Sequence, residues 1–237
     1  MDAAADLQRS QTQPTRFSTF GAWRIAVTRP NEATFRHLVE DPSATLGRAI
    51  LWLSTSMGVS LLVSTIIQVL AASLAFGSGF ASDELSLLNP GMIGGVSLAT
   101  GLLCGLPTSV VFCVLGILIF AGAIHFIAGA FGGEGRYAQM VYALAAFTAP
   151  LTILTALIGW IPIVNCLAFP IGIYALALNL LAIKSVHGLS WGAAAATIFS
   201  LLLILALLGV VIGLAVWIPI REMLLESNML QQGARVY

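Results

Sequence analysis

Residues 107–137 read PTSVVFCVLGILIFAGAIHFIAGAFGGEGRY. From Pro107 to Phe131 no side chain is charged, and the run exceeds the ~20 residues that carry a helix across the hydrocarbon core of a bilayer. Charge returns only in the glycine-rich segment that follows, at Glu134 and Arg136. Working outward, the same alternation recurs on both sides. After Arg48 the only charged residues before Arg221 are Asp83, Glu84, Glu134, Arg136 and Lys184. The uncharged tracts between these markers, broken further at Gly159-Trp160-Ile161-Pro162, divide into five spans at about 49–76, 106–131, 138–158, 163–183 and 191–218. The expected fold is all-α: a polytopic integral membrane protein with five transmembrane helices.

Composition agrees. Of 237 residues 59% are hydrophobic and 8% charged, with ten basic and ten acidic side chains and no net charge. Soluble domains carry about 25% charged residues, so a disordered chain, a coiled coil and a nucleic-acid partner are all excluded. Cys104, Cys113 and Cys166 lie in apolar tracts, odd in number and without metal spacing, which argues against a disulfide framework. Met1 to Gln13 is polar and lacks the apolar core of a signal peptide, so the first span is expected to direct its own insertion. Residues 1–16 read as a disordered cytoplasmic tail, 42–220 as the membrane domain and 221–237 as a polar tail.

Residues 17–41 mix aromatics with arginine, and Pro30 separates two short segments. Phe35, Leu38 and Val39 recur at one-face helical spacing. Two short amphipathic helices at the interface are expected, anchored by Trp23, Arg24, Arg29, Phe35 and Arg36, with a linker packed on the bundle as the competing reading. Asp41-Pro42 resembles a helix N-cap and first-turn proline. Gly77 to Gly95 reads as a polar connection, 91–105 as a partly embedded approach, and Lys184 to Ser190 as the last internal loop. Orientation follows from basic residues: eight precede or join the spans on the N-terminal side, against only Arg221 and Arg235 opposite. The N-terminus is therefore expected in the cytoplasm and the C-terminus outside. Trp52, Trp160, Trp191 and Trp217 fall near span ends, where aromatic belts form.

Chemistry-bearing residues are sparse. His125 lies inside a span, about two turns from the Gly132 loop, and Asn179 is expected at a similar depth. The simplest expectation is a hydrogen bond between the second and fourth spans; the alternative is a polar cavity formed with Glu134 and Arg136. The loop glycines lack the spacing of a phosphate cradle and read as a turn. No acid or base stands mid-span, and His37, His125 and His187 form no metal motif. No enzyme activity, metal or cofactor is expected. Gly101/Gly105, Gly129/Gly133, Ala168/Gly172 and Gly209/Gly213 have the small-xxx-small spacing of close helix packing. Pro150 and Pro170 are expected to kink the third and fourth spans.

His125 ahead of Gly132-Gly133-Glu134-Gly135-Arg136-Tyr137, Pro150, the Pro162 hairpin and Lys184-Ser185-Val186-His187-Gly188-Leu189-Ser190 leading into Ala193 together resemble the Yip domain of Ypt/Rab-interacting membrane proteins. Trp23-Arg24-Ile25-Ala26-Val27-Thr28-Arg29-Pro30 is similar to the segment before the first span in prokaryotic members. The resemblance covers most of residues 20–218. It implies five transmembrane helices, a cytoplasmic N-terminus and, for a prokaryotic type, the plasma (inner) membrane. Eukaryotic members are linked to endoplasmic reticulum and Golgi traffic through Rab binding. This chain lacks their long N-terminal region with its Asp-Leu-Tyr-Gly-Pro motif, so Rab-type GTPase binding is not carried over. The function expected is association with the lipid bilayer, with a second copy as a homo-oligomer, or with another membrane protein. The alternative is a small-molecule, ion or lipid transporter built on a polar cluster around His125 and Asn179.

Overall fold

In lipid, an uncharged run can satisfy its backbone polar groups internally only as a helix or within a closed barrel. The computed structural model describes residues 17–77, 104–159 and 166–234. The 1–16 tail, the connection around Asp83 and Glu84, most of the 91–105 approach with Gly101, the Trp160–Pro162 turn and residues 235–237 lie outside them. Among the described residues every element is helical: α1 Thr19–Thr28, α2 Glu32–Glu40, α3 Leu46–Gly77, α4 Leu106–Ala130, α5 Tyr137–Ile158, α6 Ala168–His187 and α7 Trp191–Ala234. Helices α3 to α7 are each long and apolar enough to cross a membrane.

Helix α5 is the centre. Every residue from Met140 to Phe147 is buried, on all faces of the helix, which marks a core element rather than a lipid-facing one. Helix α3 packs along it, α4 and α6 flank it, and α7 leans on α4 and α6. The small side chains Ala143, Ala145, Ala146 and Ala149 let these neighbours come close. By contrast every residue of α7 from Leu202 to Glu222 is exposed.

Several boundaries differ from the sequence reading. Asp41 does not cap α3. Thr45 does, its Oγ1 accepting the Arg48 N–H at 3.3 Å, because the chain turns through Ser43 and Ala44 before the helix begins. The fourth helix spans 168–187 rather than 163–183, so Lys184 to His187 form its last turn and only Gly188 to Ser190 are loop. Gly188, at φ +66°, takes the left-handed conformation that ends α6, and its N–H bonds the Lys184 carbonyl. Helix α7 continues through Pro219 and Arg221 to Ala234 instead of stopping at 218. Pro150 sits inside α5. Pro170 is the third residue of α6, where no intrahelical hydrogen bond is lost, so it fits the start of the helix and not an interior kink.

The N-terminal helices form a hairpin docked against α5 and α6, the packing on the bundle that the competing reading expected. Ser18 and Asn31 cap them through the Gly21 and Thr34 N–H groups, at 3.1 and 2.7 Å. Ala22, Ala26, Phe35, Leu38 and Val39 face inward. Phe35 meets Phe147 edge-on at 6.2 Å, and Trp23 meets Trp52 at 6.1 Å. Phe35 is buried against α5. Arg24, Arg29 and Arg36 remain exposed on the outer face.

Candidate functional site at the loop end of the bundle

The two histidines inside the bundle, His125 and His187, stand where its charged loops are. The segment Gly132 to Arg136 turns from α4 into α5, with Gly132 at φ +87°. Gly133 and Gly135 serve close approach. A Cβ at Gly133 would stand 2.8 Å from the His187 Cβ, and one at Gly135 would stand 2.5 Å from the Val186 carbonyl oxygen. The Glu134 N–H donates to the His187 carbonyl at 3.3 Å, so the loop is stitched to the end of α6.

That stitching brings two imidazoles together. His125 Nδ1 and His187 Nε2 are 3.1 Å apart, and His187 is almost fully buried. Tyr137 stands edge-on to His125 at 6.0 Å while its hydroxyl donates to the Leu118 carbonyl at 3.0 Å. One proton between the facing nitrogens makes a hydrogen bond; a proton on each would set N–H against N–H. The pair joins α4 to α6, as the sequence suggested, but through His187 rather than Asn179. Asn179 instead donates to the Ala175 carbonyl at 3.0 Å, and its Oδ1 is buried with no hydrogen-bond partner among the described residues.

Two further clusters hold the N-terminal hairpin. Glu32 accepts from Lys184, whose ammonium also sits 4.7 Å above the Trp191 ring, and Arg36 approaches Glu32 at 3.5 Å. The Lys184 hydrogen bond and charge hold the Glu32 carboxyl below its usual range. At the other end of the hairpin, Asp41 accepts the Phe17 N–H at 2.9 Å, the Ser43 N–H at 2.8 Å and the Ser43 hydroxyl at 2.7 Å. Burial opposes ionisation of Asp41, yet these donors and the Arg48 charge outweigh it and hold the carboxyl below its ordinary value. Arg48 donates to the Phe17 carbonyl and to Ser43 and lies 4.8 Å over Trp52, which in turn contacts Tyr142 at 4.9 Å.

The remaining expected residues are dispersed. Arg136 caps α5, its backbone N–H bonding Gln139 Oε1 at 3.2 Å, and Gln139 donates to the Val39 carbonyl at 3.4 Å. Glu134 forms no ion pair among the described residues. Of the small-residue pairs, Gly133 alone among the described glycines is tightly packed; Gly129, Gly172, Gly209 and Gly213 have open space where a Cβ would go. Gly105 precedes α4 and Ala168 opens α6. The sequence reads His187 as part of a loop; the glycine after it is the signal that it closes a helix. Among the described residues no three His, Cys, Asp or Glu side chains group as metal ligands.

With this geometry in view, residues 24–213 match the Yip1 domain. The chain is a Yip1-family membrane protein. Neither a curated protein nor a solved structure matches it.

Proposed function

We propose that this protein is a non-enzymatic membrane organiser that acts by association with lipid, with a second copy of itself or with another integral membrane protein. It would lie in the inner membrane of a prokaryote with its N-terminus in the cytoplasm. The observation that carries this reading is helix α7. From Leu202 to Ile220 every residue is uncharged and exposed, on all faces of the helix. A bare helix of this kind is available for lateral contact. Engagement of Rab-type GTPases is not part of the proposal. A transporter built on His125 and Asn179 gains no support, because the two side chains hydrogen-bond to separate partners.

Single cysteines placed at Leu205, Gly209 and Ile212, in a chain whose native cysteines are replaced, test the reading by crosslinking in native membranes. Crosslinked products expected at one face of α7 would define the contact. If no position yields a product and the chain purifies as a monomer, association through protein contact is wrong.

A further inference from the structure

Three contacts meet at His187. Its Nε2 faces the His125 Nδ1 at 3.1 Å, its carbonyl accepts the Glu134 N–H at 3.3 Å, and its Cβ abuts Gly133. One residue thus carries both the side-chain bond from α6 to α4 and the backbone bond that holds the loop of residues 132–136. Any displacement of its ring is passed to that loop.

Counting ring protons shows what could displace it. Two neutral imidazoles carry one N–H each, so one facing nitrogen can donate while the other stays bare. A first added proton keeps that arrangement open, because three protons on four nitrogens still leave one facing nitrogen bare. A charged donor even strengthens the bond. His125 is partly exposed and His187 almost fully buried, so the first charge costs least on His125. A fourth proton turns N–H against N–H and sets two positive rings with centroids 5.3 Å apart.

The surroundings do not relieve that conflict. Helix α4 carries no other charged residue, and α7 carries none before Arg221. On α5, Tyr137 faces His125 with its hydroxyl committed to the Leu118 carbonyl. Glu134 and Arg136 are exposed, and among the described residues no carboxylate lies within ion-pair distance of either ring. Lys184 adds a further positive charge to the last turn of α6 and is held by Glu32 of α2, which Arg36 also approaches. Besides His125, only the Ile183 carbonyl acts on the His187 ring.

We propose that the His125–His187 pair is an acid-released latch. It holds the loop of residues 132–136 and the end of α4 against α6 while the rings carry three protons or fewer, and lets go when both are charged. The released form binds one more proton than the latched form. Lowering the pH therefore moves the equilibrium toward release, by about tenfold per pH unit once the second charge is being added. The latch is independent of what α7 contacts.

The chain has three histidines, so nitrogen-15 histidine labelling of the full chain in detergent micelles gives three rings to follow by NMR. His37, exposed on α2, serves as the ordinary reference. A titration from about pH 8 to about pH 4.5 spans the imidazole range and stops above the ordinary carboxylate values. Near neutrality a scalar coupling across the hydrogen bond should join His125 Nδ1 to His187 Nε2. It should survive the first protonation and vanish as the second ring becomes charged. In that same step the protection of the Glu134 amide against hydrogen exchange should fall about tenfold per pH unit. His125→Asn keeps a polar group opposite His187, but its amide can turn either N–H or oxygen toward the ring, so Glu134 protection should stay flat over the whole range. Absence of the coupling at every pH, with both rings titrating as His37 does, would overturn the proposal. So would a second ring that never becomes charged in this range, Glu134 protection that stays constant while both rings charge, or acid release undiminished in His125→Asn. Loss of protection across α3 and α5 in the same step would mean unfolding of the bundle instead of release of a latch, and would overturn it as well.

Discussion

Gly135 shows how much one missing Cβ can decide. Its backbone passes so close to the Val186 carbonyl that any side chain must push the loop off α6, and the loop is what aligns His187 with His125. Forcing extra atoms into a packed site costs about 1–3 kcal/mol. Gly135→Ala should therefore lower the thermal unfolding midpoint in detergent, while Gly129→Ala, where the space is open, should leave it unchanged or raise it slightly through helix propensity. Equal midpoints for the two variants would show that close approach at Gly135 carries no weight. In the sequence the glycines of this loop announce a turn, and Gly132 does take the positive φ such a turn needs. The tighter duty of Gly133 and Gly135 was not legible, because it is set by α6, some fifty residues further along the chain.

At the scale of elements, the long helices are legible because length and absence of charge leave the backbone no other solution in lipid. Their partners are not, since a uniformly apolar helix carries no stripe that tells neighbour from lipid. Helix α5 and the outer part of α7 are similarly apolar, yet one is wholly enclosed and the other bare. The N-terminal hairpin was half legible. The spacing of Phe35, Leu38 and Val39 marks a helix and its apolar face, but what that face packs against is set by Phe147 and Lys184, far away in sequence.

The docking of that hairpin should respond to acid. Asp41 and Glu32 are both held below their ordinary carboxylate values in the folded chain. A group depressed in this way contributes stability above its unfolded value and loses it as pH falls through the folded one. Docking should be constant near neutrality and weaken below about pH 4, the ordinary carboxylate range. Hydrogen exchange across residues 19–40 would read the loosening, and Asp41→Ala should be loosened already at neutral pH with a flatter acid response. A hairpin equally protected at pH 7 and pH 3, in both chains, would contradict the role given to these carboxylates.

For the whole molecule, scarcity of charge becomes a map once position is considered. Between Arg48 and Arg221 the acids and bases that fall within described residues, Glu134, Arg136 and Lys184, mark a loop or a helix end, and the His125–His187 and Glu32–Lys184 contacts stand at that same end. The Yip1 match over residues 24–213 takes in most of the docking hairpin and the spans, and runs into the bare stretch of α7. Five crossings, an odd number, would put the two ends of the chain on opposite sides of the membrane, and the excess of basic residues on the N-terminal side is the ground for proposing that the N-terminus is inside. The most direct measurement is a paired topology reporter, one form active only in the cytoplasm and one only outside it, fused in turn before Met1 and after Tyr237. The cytoplasmic reporter should work only at the N-terminus and the external reporter only after Tyr237. Cytoplasmic activity at both ends would mean an even number of crossings and would contradict the five-span architecture.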